Sequence, residues 1–169
     1  MATGGVSCTN LTGTVTFSPP LAKGGTSPET YRFSLTATGC TTTGSDVAQV
    51  VSGTAVTTVE VPTNGCASVL GRGPGKGTVI TWTPSSIAPT TVSFSGSATG
   101  PNSAGDLGFA VPGPGGTATV TGSFAGADNG AHSTASAYTS FPESELRATC
   151  QGPGGLSSVT MTSGSVDLS

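Results

Sequence analysis

The chain has 169 residues, of which 34% are apolar and only 8% charged, with a net charge of −3 at pH 7. Its 27 glycines bring the apolar share close to half, which is ordinary for a globular protein and excludes disorder, a state of chains poor in hydrophobes and rich in charge. The five basic residues, Lys23, Arg32, Arg72, Lys76 and Arg147, are scattered in sequence, which argues against nucleic acid and anionic membrane as partners, because phosphate binding depends on many neutralised charges.

The length suits one domain spanning 1–169. No apolar run approaches the ~20 residues of a membrane helix, so no membrane insertion is expected.

Along the chain, apolar and polar residues alternate with period two, the signature of strands with one buried face. Leu11, Val15 and Phe17 share a face in the first segment, with Thr12, Thr14 and Thr16 opposite. Tyr31, Phe33, Leu35 and Ala37 alternate with Arg32, Ser34, Thr36 and Thr38. Residues 47–51 and 55–61 are weaker strand candidates. Ile80 and Trp82 share the face of a strand over 79–83, and Val92 and Phe94 that of the next. Residues 107–111 follow, then Ala118, Val120, Gly122 and Phe124 alternating with Thr117, Thr119, Thr121 and Ser123. The remaining candidates are 134–140, 146–150 and 158–168. Gly and Pro interrupt almost every potential helix, so helix is expected to be nearly absent.

Turn signals separate these segments: Pro19-Pro20, Gly24-Gly25, Asn64-Gly65, Gly73-Pro74-Gly75, Gly113-Pro114-Gly115-Gly116, Asn129-Gly130 and Gly152-Pro153-Gly154-Gly155. Some nine to eleven short strands spaced in this way define an all-β fold, an antiparallel barrel or a closely related sandwich, with the last strand returning beside the first. Closure would protect strand edges that carry few charges. The expected core is Leu11, Val15, Phe17, Tyr31, Phe33, Leu35, Ile80, Trp82, Val92, Phe94, Val120, Phe124, Val159 and Met161.

The four cysteines, Cys8, Cys40, Cys66 and Cys150, are widely spaced, with no C-x-x-C pair and a single histidine, His132. Structural zinc wants paired short spacings, so two disulfides are the better reading. Of three connectivities, antiparallel pairing of the first two strands puts Cys8 beside Cys40 and leaves Cys66 with Cys150. Disulfides imply export to the cell exterior. The first residues lack the charged and then apolar stretch of a signal peptide, and the expectation is that the natural leader has been removed and Met1 added.

A cysteine followed by Gly13-Thr14-Val15-Thr16-Phe17, then Gly39-Cys40, Cys66, Gly77-Thr78-Val79-Ile80-Thr81-Trp82, and Cys150 before a Gly-rich turn and Thr162-Ser163-Gly164-Ser165-Val166 resemble small secreted actinobacterial proteins rich in Gly, Thr and Ser. That resemblance spans nearly the whole chain and implies a compartment and a fold. It implies no activity, because such proteins are mostly without assigned function, and it transfers no site residue.

Candidates for chemistry are few. His132 with Asp128 and Ser133 would be needed for a nucleophilic triad, but no G-x-S-x-G elbow accompanies them and the segment reads as a turn. Glycoside hydrolysis would need two facing acids. The available ones are Glu29, Asp46, Glu60, Asp106, Asp128, Glu143, Glu145 and Asp167, and only Glu143 and Glu145 form a local pair, sharing a face if residues 142–150 are extended. Asp106 and Asp128-Asn129 are too sparse for a calcium loop. The match of Asn10-Leu11-Thr12 to a glycosylation sequon is the kind a Thr-rich chain makes by accident. Rows of Thr on strands 12–16 and 117–121 are what β-propensity alone produces.

The leading expectation is therefore a non-enzymatic extracellular scaffold, without a cofactor or metal, that binds a protein, glycan or cell-surface partner through its loops, in some cases as a subunit of a secreted assembly. Arg72, Pro74 and Pro114 on the Gly-Pro-Gly loops, with Tyr138, are the candidate contacts. Two alternatives are a carrier holding a small apolar ligand in the barrel interior, which requires a cavity of a few hundred Å3, and a secreted hydrolase.

Overall fold

The computed structural model describes residues 2–44 and 49–169. Asp46 and residues 47 and 48 of the candidate strand 47–51 lie outside these, while Val50 and Val51 are not in a strand. Among the described residues there are eleven strands: β1 (Gly5–Leu21), β2 (Glu29–Thr43), β3 (Ser52–Val61), β4 (Thr78–Thr83), β5 (Thr90–Phe94), β6 (Ala98–Pro101), β7 (Leu107–Val111), β8 (Ala118–Gly122), β9 (Thr134–Tyr138), β10 (Leu156–Met161) and β11 (Ser163–Leu168). A 3-10 turn covers Cys66–Ser68, and one α-helix, α1, covers Glu143–Gln151.

All pairings between strands are antiparallel, and the strands run in the order β6-β7-β9-β11-β1-β2-β3-β4-β5-β8. β10 and β11 take the same edge of β1 one after the other, in a register that sets Gly13 opposite Met161 and Cys8 opposite Val166 and shifts only beyond Thr16, where Leu21 pairs with Leu156. The last strand therefore does return beside the first.

The sheet does not close into a barrel, so the architecture is sandwich-like. β2 and β7 stand four places apart in the order, about 19 Å in a flat sheet. Even so, the Phe33 and Phe109 rings meet edge to face at 5.5 Å. Right-handed twist and the length of β1 and β2 fold the sheet over itself, and the alternating apolar faces become its interior. Every expected core residue is buried, Trp82 and Phe124 meeting edge to face at 5.3 Å and Phe17 and Tyr31 at 4.9 Å.

Without closure the edges are handled locally. The Val120 amide at the β8 edge donates to the Asn129 carbonyl, β6 is four residues long and ends in Pro101, and α1 lies against β10.

Both expected disulfides are formed. Cys8 and Cys40 are directly opposite one another on β1 and β2, and Cys66 is joined to Cys150 of α1.

One expected strand is corrected: residues 143–151 are helical. Glu143 to Gln151 carries no Gly or Pro, its two glutamates stand in the first turn where the helix dipole favours negative charge, and Arg147 pairs with Glu143 four residues back. Leu146 and Cys150, also four apart, form its buried stripe. β6, by contrast, had no alternating pattern to announce it.

Candidate functional site

Among the described residues, the side chains weighed for catalysis form no triad and no facing acid pair. His132 is exposed and pairs with Asp128 at 3.5 Å. Ser133 is buried, and its hydroxyl is held by the backbone of Ser169, accepting from the amide at 3.0 Å and facing its carbonyl at 3.4 Å. Helix geometry overturns the shared face expected of Glu143 and Glu145: two residues apart on α1, they diverge by more than half a turn. Glu143 holds Arg147, while Glu145 borders an open groove of about 270 Å3 between α1 and β10, also lined by Phe141 and Leu146. Among the described residues no group of three or more His, Cys, Asp or Glu side chains is placed to hold a metal. The two Thr rows lie on or beside β1 and β8, five places apart in the sheet, and form no common array.

Between the folded layers lies an apolar cavity of about 50 Å3, bordered by Leu11, Leu35, Trp82, Phe109 and Val166 among others. That is far below the few hundred Å3 that a small-ligand carrier of this size needs.

A larger space opens at the surface. Pairing between β3 and β4 stops at Ala55↔Ile80, while Thr78 and Val79 stay paired on the other edge of β4, with Val92 and Thr91 of β5. The segment 71–77 that leads into β4 follows β5 too: Gly75 O accepts from the Phe94 amide at 3.2 Å, and the amides of Gly73 and Gly77 donate to the hydroxyls of Ser97 and Ser93, both at 3.0 Å. The result is a groove of about 490 Å3, lined by Val59 on one side, by residues 71–76, and by Phe94 and residues 95–97. This volume falls within the about 300–1,000 Å3 of ligand clefts.

Two of the chain's five basic residues, Arg72 and Lys76, stand exposed on this groove. Four residues apart in sequence, they stand on one surface to either side of Gly73-Pro74-Gly75, with Pro74 buried beneath. Beside them, Arg72 reaches inward electrostatically to Tyr31, which is fully buried. Burial and then the Glu29 carboxylate raise the Tyr31 phenol well above its ordinary range, with Arg72 opposing. Glu29 itself is 1% exposed, and neither carboxylate oxygen closes a hydrogen bond. Burial raises its pKa, an effect that the nearby Ser18 backbone partly offsets.

The fold thus joins Arg72 and Pro74 of the expected contacts and adds Lys76, Val59 and Phe94. Pro114 lies next door: its turn is pinned to the groove wall by the Gly113 amide, which donates to Ser95 O at 3.3 Å, without lining the groove. Tyr138 is elsewhere, half-buried on β9 with its ring lying over Gly108 of β7, where an added Cβ would come within 2.2 Å of the ring. Arg72 and Lys76, four residues apart around a Gly-Pro-Gly, were the legible signal; the contribution of Val59 depends on where β3 and β4 part.

Fold and groove together define an open antiparallel β-sandwich with a basic surface cleft. Comparison of the chain with family models, curated proteins and solved structures found no match.

Proposed function

We propose that the protein is a non-enzymatic extracellular binding module whose partner seats in the groove between Val59, residues 71–76 and residues 94–97. The single observation that carries this reading is the groove itself, in which two exposed cations stand over an apolar strip on a rigid wall. The wall is hydrogen-bonded to β5 and the 95–97 segment along its length, so little ordering entropy is lost when a ligand binds. Two disulfides suit an oxidising exterior, and among the described residues no helix is long and apolar enough to cross a membrane.

Screening the intact protein against panels of extracellular oligosaccharides and peptides tests the reading. A bound partner should be weakened by Arg72→Gln with Lys76→Gln and unaffected by Arg32→Gln, which removes an exposed cation from β2. Binding indifferent to both groove substitutions would place the contact surface elsewhere.

A further inference from the structure

We infer that the groove takes an extended acidic polypeptide, which adds as a strand to the free edge of β3. The inference rests on the binding reading above and names its partner class and mode.

β3 is ten residues long, but β4 covers only its first four, Ser52 to Ala55. Continuing that register would set Val59 opposite Lys76, yet segment 71–77 has turned its hydrogen bonds to β5 and residues 93–97. Residues 56–61 are paired to β2 on one side only. In an antiparallel strand every second residue directs its N–H and C=O to the other side, so about three residues of β3 offer their backbone groups to the seam.

An extended peptide satisfies such groups, and its alternating side chains then select by chemistry. The same groove offers an added strand the apolar Val59 and Phe94 and the exposed cations Arg72 and Lys76. No acidic side chain lines the groove, and Glu60 is exposed on the face of β3 opposite to Val59. A peptide alternating acidic and apolar residues matches both walls. The other sheet edges lack this combination, since β8 is capped by the Asn129 carbonyl, β6 is short, and β10 borders a groove whose one charged lining residue is Glu145.

The test uses the whole, disulfide-bonded protein and an octapeptide alternating Glu and Val, with a Lys–Val octapeptide and dextran sulfate as comparison probes. Amide hydrogen exchange and backbone NMR shifts are followed at millimolar peptide. The Glu–Val peptide should shift the amides of residues 71–76 and slow exchange at alternate amides within 56–61. Arg72→Gln with Lys76→Gln should weaken it about three- to tenfold, as expected for two surface ion pairs, and the Lys–Val peptide should not bind. Shifts at Arg72 and Lys76 without protection on β3, or binding by dextran sulfate alone, would overturn strand addition while leaving the groove as a binding site. If none of the three probes perturbs the groove, both the inference and the reading beneath it fall.

Discussion

Cys66, in the 3-10 turn that precedes the groove wall, is bonded to Cys150 of α1, 84 residues later. The link ties the helix to the connection between β3 and β4 that leads into segment 71–77. Loop-closure entropy assigns such a bond about 4.5 kcal/mol, against about 3.7 kcal/mol for Cys8–Cys40, which closes 32 residues.

Cys66→Ala with Cys150→Ala should therefore cost slightly more stability in a guanidinium titration than Cys8→Ala with Cys40→Ala. It should also speed amide exchange over residues 69–77. The Cys8–Cys40 pair lies inside a ladder that continues on both sides of it, so its removal should leave exchange in the groove wall unchanged. Equal loosening of the wall by both double variants would contradict this.

Glu29 sets a pH dependence of unusual sign. Its folded pKa is raised above the ordinary 4.5 by burial, so in the window between those values the native chain binds more protons than the unfolded one. Stability must then fall as pH rises from 4.5 through the folded value and level off above it, the reverse of a salt-bridged carboxylate. Glu29→Gln should abolish that decline, which is read as the denaturation midpoint across mildly acidic to neutral pH. A decline of the same size in the variant would assign it to other groups.

The Trp82 indole donates to the Thr90 hydroxyl at 2.8 Å, and that hydroxyl donates to the Ser123 carbonyl at 2.7 Å, all in the interior. Thr90→Val keeps the shape and orphans both partners. It should cost about 2–4 kcal/mol, measured by the fluorescence of Trp82, the only tryptophan in the chain. A loss below the cost of one unpaired buried group would mean that another donor or a water replaces the hydroxyl.

Tyr138 covers the bare backbone of Gly108 across the β7–β9 pair. Tyr138→Ala should lower stability by about 1 kcal/mol, the scale of a cross-strand aromatic contact, and leave binding in the groove unchanged. Weakened binding with stability intact would return Tyr138 to the contact surface.

How much of this was legible before folding differs from element to element. The centres of the first two strands follow from alternation over 11–17 and 31–38, where a slip by one residue would turn the core side chains outward, and the Cys8–Cys40 bond follows from pairing those strands antiparallel. Helix α1 was hidden: only Leu146 and Cys150 mark its buried face among nine residues, too few to show a 3.6-residue period. β6, four residues without a buried side chain, carries no pattern at all and exists because β7 offers an edge.

Sequence alone determined the all-β class, the alternating part of the core and the two sulfur links, since each depends on local alternation or on the pairing of a few residues; Leu21, Leu70, Leu107, Phe109 and Leu168, also buried, were not among the expected core residues. Tertiary structure alone decided that the sheet stays open and where β4 leaves β3. That departure creates the groove and turns Arg72 and Lys76 into neighbours of Val59 and Phe94. The reason is physical: a strand's two faces are written in its own side chains, but the partner on each of its edges is chosen by backbone groups that are the same in every residue.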